Sequence, residues 1–240
     1  MPGSYLLCGT PRTGSTLLCA LLTSTGVAGR PESYFREPDE PAWARRFGIP
    51  VAADGSFDYR RFARAARAAG STPNGVFAAR VMWGTVPRIV GGLEPGPRTR
   101  PDLEVLTDAF GPLRMVHLRR EDVLGQAVSW ARAEQTGYWQ EGDRAGAEPR
   151  LDLSAVEELV RAIEEHDAAW TGWFAEQGVV PHRVTYEEVT ADPDRAVRGV
   201  LGHLDLEPPA DWRPAPRQRR QADETNAAWV RAYREANPGA

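Results

Sequence analysis

The chain has 240 residues, 42% hydrophobic and 26% charged, with a formal net charge of −4. That length and balance suit one α/β domain with its own core, and a net negative chain excludes nucleic-acid binding through bulk positive charge. All 29 basic residues are arginine, so any anion site must be built locally from guanidinium groups and backbone N–H groups.

Ser4–Cys8 is a short apolar run ending in turn residues and reads as a buried strand. Over Ser15–Thr25, Leu17, Leu18, Leu21 and Leu22 recur at helical spacing. Gly26–Asp39 is a Pro- and Gly-rich loop, and Tyr59–Ala69 a basic amphipathic helix. Val76–Val81 and Arg114–Leu118 read as the second and third strands, and a helix from Asp122 to about Gln135 follows the third at once. Gly137–Arg150 is polar and Gly-rich, the pattern of a mobile loop. Leu153–Glu176 is the longest helical pattern, with Trp170 and Trp173 on its apolar face. Pro181–Thr185 is a fourth strand and Pro193–Leu204 a helix. A Pro- and Arg-rich stretch, Glu207–Arg219, leads to a last helix over Glu224–Ala236. Strands alternating with helices predict a mainly parallel sheet covered on both faces, a P-loop-like three-layer α/β/α domain over residues 1–240. Cys8 and Cys19 lack metal or disulfide spacing and read as core residues. No stretch is apolar and long enough to span a membrane, and no basic leader precedes the first strand. A soluble cytoplasmic protein is expected.

Two segments carry chemistry. Gly9-x-x-x-x-Gly14-Ser15-Thr16 has P-loop spacing with serine at the lysine position. Glycines permit the tight turn, successive N–H groups then converge on one point, and the following helix adds positive potential. Ser15 and Thr16 can donate hydroxyl hydrogens, and Arg12 can supply the missing cation. The reading is an anion cradle formed by Pro11, Arg12, Thr13, Gly14, Ser15 and Thr16. ATP and GTP enzymes of this class use the absent lysine together with Mg²⁺ held by acidic residues. Fixed donors and arginines suffice for a less charged sulfuryl group. The second segment, His117-Leu118-Arg119-Arg120-Glu121-Asp122, ends the third strand and opens a helix that carries Ser129. Ligands of open α/β sheets bind at the carboxyl ends of strands, which brings Arg120 and Ser129 to the edge where the first loop lies.

With these pieces in order, the chain resembles the bacterial Stf0 family of sulfotransferases that use 3′-phosphoadenosine-5′-phosphosulfate (PAPS). The matching stretches are TPRTGSTLL (10–18), TGVAGRPESYF (25–35), TPNGVFAARVMW (72–83), HLRREDVLGQAVSWARAEQT (117–136), VTYEEV (184–189) and RQADETNAAWVRAYR (220–234). The resemblance implies the sulfotransferase fold. It implies that Pro11–Thr16 bind the 5′-phosphosulfate, with Arg12 as cation, and that Arg120 and Ser129 bind the 3′-phosphate. It further implies that Arg220, Gln221, Ala222 and Asp223 close over the nucleotide, within a covering segment at about 214–236. Arg80 stands where similar proteins often carry lysine. The chain departs from the family pattern at one place. The glutamate taken as general base is replaced by Ser33, with Glu32 beside it. Serine is a poor base at neutral pH, which leaves Glu32 first, then Glu37 or His117, or an acceptor that needs no strong base.

The implied reaction is in-line transfer from PAPS to a hydroxyl of a small molecule, a carbohydrate or a secondary metabolite, leaving 3′-phosphoadenosine-5′-phosphate (PAP). No metal, nucleic acid or membrane partner is expected, and a homodimer stays open. Trp43, Trp83, Tyr138 and Trp139 are the candidate acceptor wall, since aromatic faces suit sugars and planar molecules alike. A P-loop kinase or NTPase, and a non-catalytic nucleotide-binding protein, are the alternatives.

Overall fold

The computed structural model describes residues 3–139, 146, 148–214 and 224–237. Strands β1 (Ser4–Gly9), β2 (Ala78–Met82), β3 (Leu113–Arg119) and β4 (His182–Thr185) pair in parallel in the order β2-β1-β3-β4. Side chains alternate across a strand, so the wholly buried β1 sends Leu6 and Cys8 to one face and Tyr5 and Leu7 to the other. On the first face Leu6, Cys8, Ala79, Val81 and Met115 pack against α3 (Tyr59–Ala69), α4 (Thr85–Leu93), α5 (Asp102–Phe110) and α7 (Leu153–Glu176). On the other, Tyr5, Leu7, Val116, Leu118 and Val184 meet α1 (Ser15–Ser24), α8 (Tyr186–Ala191) and α9 (Pro193–His203). This is the expected three-layer arrangement. Helices α6 (Val123–Thr136) and α10 (Glu224–Ala236) join α7 in a smaller cluster around Ala127, Val156, Trp229 and Tyr233.

Helix α2 (Glu40–Arg46), α4, α5 and α8 go beyond the sequence reading. Helix α4 contains Pro87, Gly91 and Gly92, poor helix formers, and is held by burial of Val86, Ile89, Val90 and Leu93.

The strand order places a switch point between β1 and β3, because the chain leaves β1 for β2 on one side and reaches β3 on the other. Ligands of open sheets bind in the crevice outside such a point. Both anion segments emerge there, one from Gly9 at the end of β1 and one from Arg119 at the end of β3. The β1 end is anchored from α7. Trp170, fully buried, donates its indole N–H to the Gly9 carbonyl at 3.0 Å, and the Trp83 N–H reaches the same oxygen at 3.3 Å. Trp170 and Trp173 are core residues, as their helical spacing predicts. No described helix is long and apolar enough to cross a membrane.

Candidate active site

The loop after β1 turns through two left-handed residues, Arg12 (φ 66°) and Gly14 (φ 79°). Position 14 requires glycine twice over. An L side chain disfavours that φ, and a Cβ there would lie 2.4 Å from the Tyr186 ring. Gly14 is also the N-cap of α1, with no side chain to occupy the first-turn N–H groups. Those groups and the positive end of the helix dipole are the kind of donors that suit an anion. Thr13, fully buried, spends its hydroxyl inside the loop on the Thr10 carbonyl at 2.9 Å, whereas Ser15 and Thr16 open the helix.

Arginine 80 is the cation among the loop hydroxyls. Its side chain leaves β2 on the α1 side, and Nη1 donates to Thr16 Oγ1 at 2.9 Å and to Ser15 Oγ at 3.4 Å. Its Nε donates to Ser33 Oγ at 2.8 Å. Arg12, expected in that place, reaches instead toward α6, where Nε donates to Ser129 Oγ at 3.0 Å and Nη1 to the Trp139 carbonyl. The two anion segments thus touch through Arg12 and Ser129.

The adjacent arginines at the end of β3 have separate tasks. Arg119 pairs with the buried Asp167 of α7 at 2.8 Å and ties β3 to that helix. Arg120 lies over the Tyr186 ring at 4.8 Å, its side chain is 13% exposed, and its buried Nε has no hydrogen-bond partner among the described residues. Asp122 lies 3.3 Å from its Nη2. A guanidinium with an unpaired N–H beside this loop is a donor still to be satisfied.

Glu32 is exposed, with its backbone pinned beside Arg80. Its carbonyl accepts from the Arg80 N–H at 3.0 Å, and it bridges to Ala79. The Cys19 thiol is pushed up to about 12 by burial; Arg80 opposes that shift and Glu32 adds to it. Glu37 is drawn to Arg88 at 3.3 Å, which also holds the fully buried Glu40. Tyr59 donates to that same Glu40 carboxylate at 2.8 Å.

His117 lies within β3, 1% exposed, against Trp170 and Phe174 of α7, and neither ring nitrogen has a hydrogen-bond partner among the described residues. Burial, with the charges of Arg119 and Arg183, pushes its pKa down to about 4. A core imidazole this weakly basic is poorly placed to take a substrate proton. It has a stability consequence instead. Between pH 6.5 and 4 the unfolded chain binds a proton that the folded chain refuses, so stability is full above 6.5 and falls on acidification, by roughly 3 kcal/mol at the limit. Denaturant unfolding at pH 7 and pH 4.5 should show this loss, reduced in His117→Leu. An equal loss in both proteins contradicts the assignment.

Among the aromatic candidates, Trp139 lies under Arg36, whose Cζ is 5.8 Å from the ring centroid. Trp83 packs edge-on to Trp170 at 5.2 Å, and Trp43 meets Tyr34, next to Ser33, at 5.0 Å. The backbone N–H of Tyr138 bonds to Thr136 Oγ1 at 3.2 Å. Arg220, Gln221, Ala222 and Asp223 lie outside the described residues. Gln126, Tyr186, Arg36 and the reach of Arg80 go beyond the sequence reading. A signal for Gln126 is its spacing, three residues before Ser129 on one helix face.

Parallel strands, a glycine-capped strand–helix loop at the switch point and the arginines around it define an α/β protein of the open-sheet class. The chain belongs to the Stf0 sulphotransferase family, whose profile matches residues 4–236. It is 29% identical to the trehalose 2-sulfotransferase of Mycolicibacterium smegmatis, over 97% of this chain and 95% of that one. It is 30% identical to the trehalose 2-sulfotransferase of Mycobacterium tuberculosis, over 98% and 95% of the two chains. Among solved structures, the sulfotransferase domain from the curacin biosynthetic pathway shares the fold, with a TM-score of 0.51 at 13% identity, covering 95% of this chain and 83% of that one.

Proposed function

We propose that the protein transfers a sulfuryl group from PAPS to a hydroxyl of a small-molecule acceptor, by direct in-line displacement. The single observation that carries the donor assignment is Arg120, a mostly buried guanidinium with an orphaned Nε at the end of β3, next to the cradle. ATP and ADP have no 3′-phosphate to occupy it. In this reading Pro11–Thr16 hold the 5′ side through backbone N–H groups and hydroxyls, and Arg120 and Ser129 hold the 3′-phosphate. The nucleotide-covering role that the family resemblance implies for about 214–236 falls, at Arg220–Asp223, outside the described residues. The donor supplies an activated sulfuryl group on a phosphate leaving group. Arg80 orients toward that end through Ser15 and Thr16, and Ser33 fixes the guanidinium plane. Charge that develops there meets donors already in place.

Glu32, exposed and bridged through its backbone to β2 at Ala79 and Arg80, takes the acceptor proton. Trp43, Trp83, Tyr138 and Trp139 form the acceptor wall. A sugar hydroxyl is the acceptor class that the trehalose-sulfating relatives suggest, and the serine at position 33 opens the choice to others. The experiment is transfer of radiolabelled sulfate from PAPS to a panel of sugars, phenols and alcohols. Glu32→Gln should cut turnover by about 10²–10⁴-fold while PAP affinity stays within about threefold. Unchanged turnover removes Glu32 from the mechanism.

A further inference from the structure

We propose that Gln126 is a positioning residue that couples recognition of the 3′-phosphate to the shape of the 5′-phosphate loop. The proposal rests on the donor reading above. Gln126 lies on α6 and is 1% exposed. Its Nε2 donates to Thr10 Oγ1 and to the Pro11 carbonyl, both at 2.7 Å. An amide NH₂ has two hydrogens, and both are spent on the phosphate loop.

The target atoms immediately precede Arg12, whose φ of 66° is one that L residues disfavour. Holding the Pro11 carbonyl fixes the peptide plane between Pro11 and Arg12. It keeps that oxygen on the α6 side, so that N–H groups rather than a carbonyl face an incoming anion. The Arg12 side chain then returns to α6 at Ser129, three residues beyond Gln126. Loop and helix are therefore joined at two points less than one helical turn apart. Thr13 closes the loop by donating to the Thr10 carbonyl. A phosphate that engages Ser129 and Arg120 acts on the same helix that sets the Pro11 carbonyl. Binding at the 3′ side thereby favours the loop geometry that binds the 5′ side.

A tie that merely held the loop in place would weaken all nucleotides alike, whereas coupling makes the two phosphates worth more together than apart. The test is a ligand cycle using PAP, AMP, adenosine 3′-monophosphate and adenosine, by calorimetry with competition for the weaker ligands. Wild-type protein should bind PAP at least about tenfold more tightly than the summed increments of the two monophosphates predict. In Gln126→Met, which fills similar space without N–H donors, the excess should fall within about threefold of additivity. Gln126→Glu, isosteric and acceptor-only at neutral pH, should lose it too, and melting curves establish that each variant is folded. A common loss of all four affinities with the excess retained makes the residue structural and overturns the proposal. Additive increments in the wild-type protein, with PAP still preferred over AMP, overturn the coupling alone. PAP held no tighter than AMP overturns the donor reading and the coupling together.

Discussion

Arg80→Met should lower sulfuryl transfer from PAPS by about 10²–10³-fold, corresponding to some 2.7–4 kcal/mol of transition-state stabilisation. Arg80 is the guanidinium that donates to both Ser15 and Thr16, and its Nε is steered by Ser33. Methionine keeps much of the side-chain bulk and removes the charge and every donor. PAP lacks the transferred group, so its affinity should change by less than about tenfold. Arg80→Lys keeps the charge but cannot reproduce the planar fork, and should recover only part of the rate. Single-turnover assays beside calorimetry separate the two effects. A rate within about threefold of wild type would remove Arg80 from the site.

Trp170→Ala should destabilise the fold by about 3–5 kcal/mol, the range for emptying a large aromatic site in a core. Trp170 is fully buried, stacks on Phe174 with ring centroids 5.5 Å apart, meets Trp83 and Trp173 edge-on and donates to the Gly9 carbonyl. The loss reaches the site as well, because Gly9 launches the phosphate loop. Trp170→Phe keeps much of the ring contact and removes the donor. The Trp83 N–H still reaches the Gly9 oxygen, so that variant should lose only about 1–2 kcal/mol. Urea unfolding measures both, and an alanine variant within about 1 kcal/mol of wild type contradicts the packing account.

Much of the fold is legible in the sequence because its signals are local. β1, its glycine turn and α1 are contiguous, and so are β3, Arg120 and α6. The strand–helix alternation suffices for a parallel three-layer sheet. Helix α4 hides because Pro87, Gly91 and Gly92 lower its propensity, and tertiary burial decides it. The site is legible only where its parts are close in sequence. Contacts such as Arg80 to Ser15, 65 residues apart, and Gln126 to Thr10, 116 apart, come from sheet order and helix placement. Ser33 illustrates the difference. The sequence resemblance alone sets it at the position of a glutamate; in the structure it is the hydroxyl that accepts from Arg80 Nε. Likewise Arg119 and Arg120 are indistinguishable as a dipeptide. Asp167 claims the first, and the second is left with an orphaned Nε over Tyr186.

The central claim is that this site reads a 3′-phosphate. Calorimetry of the wild-type protein and Arg120→Ala with PAP and with ADP, two nucleotides that each carry two phosphates, tests it most directly. PAP should bind wild-type protein at least about tenfold more tightly than ADP, and Arg120→Ala should weaken PAP by about 1.5–3 kcal/mol while leaving ADP nearly unchanged. Equal affinities of the wild-type protein for PAP and ADP would contradict the account.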